Sequence, residues 1–255
     1  MIALGAGLAL LAGCSQGLTQ QQRAWLEAGE RRYQRQDYRG AVESLSRFLA
    51  EVRDKPETAR AFYIRGMSYA QRGRRDAAYA DLRRAAAGAA SDDLRWRADV
   101  ALGTLLFEDG DWAAAARRYR SALEPMPDRP PKDTVLYRLA LCLERQGQWT
   151  LARPYLAEIV ARYSSGPYAD SARRHLRSRP THYAVQCGAF RTRANAERLC
   201  GELRGKGLEA YVHAEQRGRT PMYLVLVGRY STYEQALSYQ QMIRRDFVPD
   251  ALVWP

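Results

Sequence analysis

Apolar and polar positions along this chain follow two periods, and the change from one to the other divides it. Between about residues 23 and 178 small and apolar residues recur in a helical register that repeats every 37 residues. Gly29, Gly66, Gly103 and Ala140 hold one position of that register, Ala41, Ala78, Ala115 and Ala152 a second, and Leu45, Leu82, Tyr119 and Leu156 a third. Small residues at a fixed step let paired helices approach closely, so the pattern predicts repeated helix-turn-helix units. Gly73, Gly110 and Gly147 mark the turn inside the later units, with Trp112 and Trp149 two residues beyond and expected to pack in the core. The first unit departs most: Gln36 replaces the turn glycine and Arg32 stands where an aromatic is expected. Pro56, and Pro125 through Pro131, fall in the connections, and Tyr168 to Leu176 reads as a last helix closing the stack.

From residue 181 the period becomes 2 and a motif occurs twice, forty residues apart. Tyr183, Val185, Gly188, Phe190, Thr192 and Ala196 spell Y-x-V-x-x-G-x-F-x-T-x-x-x-A, and Tyr223, Val225, Gly228, Tyr230, Thr232 and Ala236 repeat it with Tyr for Phe. Each copy reads as strand, turn and helix, with Ala196, Leu199, Cys200 and Leu203 on one helical stripe and Ala236, Tyr239 and Ile243 on the other. Strand-like runs at Leu208 to Glu215 and Ala251 to Trp254 complete a β-α-β-β-α-β order.

The helical part resembles tetratricopeptide repeats, whose usual period is 34, so about three extra residues per unit lengthen the connections. The text YAVQCGAF followed by YLVLVGRY resembles the SPOR domain, a bacterial module that binds peptidoglycan glycan strands lacking stem peptides. The expected fold is an all-α TPR-like solenoid at 23–178 followed by an α+β, ferredoxin-like SPOR domain at 181–255. The resemblance implies glycan binding on the sheet face away from the helices, and localisation to the division septum. Strand parity places His182, Ala184 and Gln186 on that face, with Met222, Leu224 and Leu226 from the third strand. Tyr211 and His213 join from the second strand, and Leu252 and Trp254 from the fourth. Gln186 matches the family's motif glutamine, whose amide both donates to and accepts from hydroxyls, and Trp254 offers a platform to a pyranose. Ala189 stands where Ser is frequent, and Met222 and Leu224 where Trp and Arg are known in some members. So greasy a face either stacks sugar on aliphatics or packs on the repeat array. The array implies a protein partner in its concave face.

Ahead of the repeats, Ile2 to Leu11 is an apolar run far shorter than the ~20 residues that span a bilayer. It ends in Leu11-Ala12-Gly13-Cys14, which matches a bacterial lipoprotein cleavage box. The expectation is a signal peptide at 1–13, lipidation of Cys14, a linker at 14–22 and an outer-membrane anchor facing the periplasm. No Lys or Arg precedes Arg23, so a basic flank would lie upstream of Met1.

The net charge of +12 invites a nucleic-acid reading, but 37 of the 40 basic residues are Arg, and residues 181–255 carry only +3. The cluster Arg173, Arg174, Arg177 and Arg179 marks the domain junction. The third strand lacks the aromatic signature of an RNA-binding sheet, so no nucleic-acid partner is expected. His175, His182 and His213 show no ligand spacing, and no phosphate loop or nucleophile elbow occurs; the sequence points to a binding protein with no enzymatic activity, metal or cofactor. After Cys14, the cysteines are Cys142, Cys187 and Cys200. Cys187 and Cys200 face the same helix-covered core, either bridged or as two reduced, buried thiols.

Overall fold

The protein is seen here as a computed structural model, which describes residues 17–178, 181–217 and 220–255. The apolar leader, the box ending in Cys14, and Arg179 lie outside the described residues. Helices α1 (Gln20–Gln34) and α2 (Tyr38–Glu51), α3 (Pro56–Gln71) and α4 (Arg75–Ala87), α5 (Asp92–Glu108) and α6 (Trp112–Leu123), and α7 (Lys132–Arg145) and α8 (Trp149–Arg162) form four successive pairs. α9 (Ala169–Ser178) follows them. Local chemistry fixes the ends. Thr19 and Gln22 make a reciprocal capping box on α1, and the Asp37 and Asp111 carboxylates accept from the backbone N–H of Gly40 and Ala114 to start α2 and α6. Inside the later units the chain reverses at Gly73, Gly110 and Gly147, with φ of +68°, +79° and +72°. In the first unit Gln36 takes the same left-handed turn at φ +61°, a conformation that costs a residue with a Cβ about 1–2 kcal/mol.

The 37-residue register is a packing register. A Cβ added to Gly29 would stand 2.5 Å from Leu45, one on Gly66 2.9 Å from Leu82, and one on Gly103 2.8 Å from Tyr119. Ala41, Ala78, Ala115 and Ala152 are sealed inside the same pairs. Polar ties supplement the contacts: Arg65 of α3 grips Asp81 of α4 through two bonds of 2.6 and 2.9 Å, and Asp99 of α5 accepts from Arg118 and Ser121 of α6. Arg32, standing where an aromatic was expected, instead donates to the Gly40 carbonyl and the Ser44 hydroxyl of α2. The last helix covers the stack as expected. Ala172 of α9 is buried, Tyr168 stacks on Tyr137 of α7 at 4.7 Å, and His175 meets the buried Glu144 at 2.7 Å.

The carboxyl-terminal module runs β1 (Tyr183–Phe190), α10 (Arg193–Gly205), β2 (Ala210–Arg217), β3 (Thr220–Tyr230), α11 (Tyr233–Asp246) and β4 (Leu252–Trp254). Its strands form one antiparallel sheet in the order β2-β3-β1-β4, with α10 and α11 packed on it. Both helices start after a motif threonine, but only Thr232 caps: its hydroxyl accepts from the Gln235 N–H and Gln235 answers with its side chain. Val185, Val225, Val227, Cys200, Leu203 and Ile243 form a core of the module's own between sheet and helices.

Trp112 and Trp149 are half-buried; Trp112 packs on the edge of the array core as expected, and both also reach the module. The Trp112 indole N–H donates to Glu234 on the first turn of α11, and Trp149 lies 4.8 Å from the Tyr183 ring. The Arg145 guanidinium sits 3.3 Å over the Tyr233 ring and 5.6 Å from Trp112. Two indoles beside turn glycines thus hold the glycine-rich end of the array against the start of β1 and α11, which the helical period could not distinguish from packing.

Candidate functional site

Two irregularities in the sheet decide which side chains reach the face opposite the helices. The register between β1 and β3 shifts between Tyr183 and Val185, where the extra residue on β3 is Gly228 at φ +73°, and again at Cys187 on β1. Gln186 therefore opposes Leu226 and Ala189 opposes Leu224, so Ala189 joins the open face despite its odd number. Tyr211 pairs with Leu226, His213 with Leu224, Gln186 with Leu252, and Ala184 with Trp254. Of the residues expected at a glycan site, His182 lies just before β1 and Met222 pairs with Glu215 further along β3; the others come from these rungs.

They do not form an exposed plate. Ala184 and Leu224 are fully buried, with Leu226, beneath a roof of aromatic rings, so neither can touch a ligand in this arrangement. Trp254 is 8% exposed and lies across the face, 4.9 Å from His213 and 6.0 Å from His182, a cover over aliphatics more than a platform. His182 accepts or donates at 2.7 Å to the Tyr211 hydroxyl, which closes the roof on the β2 side. The repeat array does not supply this cover: its contacts with the module include Tyr183, Ser231, Tyr233 and Glu234, at the end of the sheet. Burial, with the neighbouring charge of Arg229 and then His213, pushes the His182 pKa below its ordinary value.

What the roof leaves open is a polar and aliphatic margin. Leu252 is 57% exposed, Ala189 is exposed, and Gln186, Met222 and His213 are half-buried. The Gln186 side-chain amide has no partner among the described residues. Plain alternation missed Arg229. The Gly228 bulge turns it onto this face, where its guanidinium lies 4.8 Å over the Tyr211 ring; the glycine inside a strand pattern was the available signal.

In the helical layer Cys187 and Cys200 share the module core but stay separate thiols, the Cys187 Sγ turned toward the Val185 carbonyl at 3.8 Å. Burial raises the Cys187 pKa to about 11 and that of Cys142, inside the array, to about 12, so neither is a thiolate near neutrality. Among the described residues no cluster of His, Cys, Asp and Glu is placed to hold a metal ion, and no helix is long and apolar enough to cross a membrane.

On the inner face of the array a cavity of about 530 Å³ opens between α3, α5 and the loop at 124–131. Repeat-family comparison fits this architecture: the tetratricopeptide repeat model matches residues 26–93 and 100–167, and the SPOR domain model matches 179–254. The chain belongs to the tetratricopeptide repeat family and ends in a SPOR domain. Its solved neighbours include a tetratricopeptide repeat protein from Parabacteroides merdae ATCC 43184, at 16% identity and TM-score 0.55 over 74% of this chain and 68% of that one. The apo form of RapI is similar at 15% identity and TM-score 0.51, over 62% of each chain. Likeness at these identities shows the helical-repeat fold alone. No curated protein sequence matches the chain. Both families of this SPOR-domain repeat protein are binding families, one of peptidoglycan and the other of proteins.

Proposed function

We propose that this is a cell-envelope lipoprotein whose SPOR domain holds glycan strands stripped of stem peptides and whose repeats recruit a partner to them in cell division or wall remodelling. It binds and does not catalyse. The observation that carries the reading is Gln186, an amide without an internal partner set between exposed Leu252 and the aromatic roof, so it can serve sugar hydroxyls on either side. The lipidation box ending in Cys14 motivates an outer-membrane anchor at the periplasmic face.

The test is a pull-down of the purified protein with sacculi before and after amidase treatment. Binding is expected to rise on amidase-treated sacculi, and Gln186→Glu, which keeps the shape but removes the amide donor, should weaken it by ~1–3 kcal/mol. Raised salt should matter little, since a denuded glycan offers few charges compared with nucleic acid. A second reading has its own support: Leu224 and Ala184 are sealed by the module's own rings, as in a SPOR domain turned into a protein scaffold. Folded protein that ignores amidase-treated sacculi would establish that scaffold and overturn the glycan reading.

A further inference from the structure

The 37-residue step that brings small residues together inside the array also lines up arginines outside it. Arg47 and Arg84 share one position of the register, Arg83 and Arg120 the position before it, and Arg117 lies one turn back on α6. The first helices of successive pairs, α1, α3 and α5, pack on one another, so α2, α4 and α6 stand on the outer side. All five arginines are exposed, and none makes an ion pair among the described residues.

The acids that could answer them are already held or lie near the helix ends. Glu43 is paired with Arg39 at 3.2 Å, Asp81 with Arg65, and Asp99 with Arg118 and Ser121. The Asp111 carboxylate accepts the Ala114 N–H, while Glu51, Asp76 and Glu124 sit at the ends of α2, α4 and α6. Arg83 and Arg117, from neighbouring outer helices, line one furrow of about 480 Å³ in which Asp111 is the one acid. Guanidinium groups gathered on one face without carboxylates among them make a positive field that draws an anionic surface.

The length of the tether says which surface. Five residues separate Cys14 from Gln20, so with Cys14 lipidated even fully extended chain lets α1 start no more than ~22 Å from the membrane. The first units then lie at the bilayer surface whichever way they turn, and an anionic leaflet draws down the face that carries unpaired positive charge.

We propose that the outer face of α2, α4 and α6 lies on an anionic phospholipid surface, with Arg47, Arg83, Arg84, Arg117 and Arg120 on the headgroup phosphates and the inner face of the array turned away. The inference rests on the anchor reading and adds an orientation to it. Acyl chains hold the protein to the membrane; the arginines set which side meets it and leave the inner face free for a protein partner.

The probe is co-sedimentation of the purified full chain carrying Cys14→Ser, so that no lipid is attached, with vesicles of phosphatidylcholine alone or with about 30% phosphatidylglycerol. The apolar run at residues 2–11 meets both vesicles alike, so the difference between them reads the charge. Binding to the anionic vesicles should exceed binding to the neutral ones at least about tenfold in about 50 mM salt, and the two should converge in about 500 mM. Arg83→Glu, Arg117→Glu and Arg120→Glu together should abolish the excess with the helical circular dichroism unchanged. An equal charge change at the exposed turns, Arg35→Glu with Arg72→Glu and Arg74→Glu, should leave most of it. If the first triple variant misfolds, Arg83→Gln with Arg120→Gln replaces it and should lower the excess at least about threefold. An excess that survives the outer-face variants, or that the turn variant removes equally, would overturn the proposal, as would no excess at all. Retention on immobilised polyglutamate without vesicle binding would also overturn it and assign the face to an acidic protein. Failure of the anchor reading shows separately, as an unacylated Cys14 in mass spectrometry of the wild-type protein, and leaves the vesicle comparison standing.

Discussion

At Gly103 a hydrogen stands where any side chain would meet the Tyr119 ring, 2.8 Å from an added Cβ and inside a sealed helix pair. Gly103→Ala should therefore cost ~1–3 kcal/mol through overpacking, measured by chemical denaturation. Gly201 in α10 has open space around it, and Gly201→Ala should instead gain up to ~1 kcal/mol by lowering the entropy of the unfolded chain. His182 connects stability to pH. Its folded pKa lies below the ordinary 6.5, first because of burial and then because of Arg229 and His213, so just below pH 6.5 the unfolded chain binds a proton that the folded chain refuses. Stability contributed at neutral pH is thus lost as pH falls from about 6.5 toward the folded pKa. The melting temperature of wild type should drop on acidification across that window, and that of His182→Gln should drop less; parallel curves would reject His182 as the titrating group.

Between elements, directional ties matter as much as shape. The Arg65 and Asp81 side chains join α3 to α4 while only 15% and 4% exposed, and the removal of one partner strands the other as an uncompensated charge. Asp81→Ala should cost ~3–5 kcal/mol in denaturant unfolding, and Arg65→Met with Asp81→Leu should recover much of it, since a buried ion pair is often no better than an apolar pair of like size. The repeat register was legible in the sequence because close helix approach tolerates only small residues, so Gly29, Gly66 and Gly103 announce the large side chains they meet. Strand faces were less legible. One extra residue reverses every later side chain, so the bulges at Gly228 and Cys187 put Arg229 and Ala189 on the open face, against simple alternation.

Over the whole molecule, Arg145 reaches the Trp112 ring in the array and the Tyr233 ring in the SPOR domain and so links the two parts. Arg145→Ala combined with Trp149→Ala should free the module, raising the radius of gyration and interdomain flexibility in small-angle scattering while the helical content stays the same. An unchanged scattering profile would mean that other contacts hold the domains together. The sequence by itself determined the two folds, the repeat register, the strand order and the families, because periodicity, small residues at close approaches and turn glycines are local demands that each segment must satisfy alone. Which surface is open was decided only in the tertiary structure. Trp254 leaves the fourth strand as an isolated ring in sequence and becomes a roof only when His182, from just before β1, and Tyr211 and His213, both from β2, converge over Leu224 and Leu226. Burial is a property of distant chain segments brought together, and no local pattern records it.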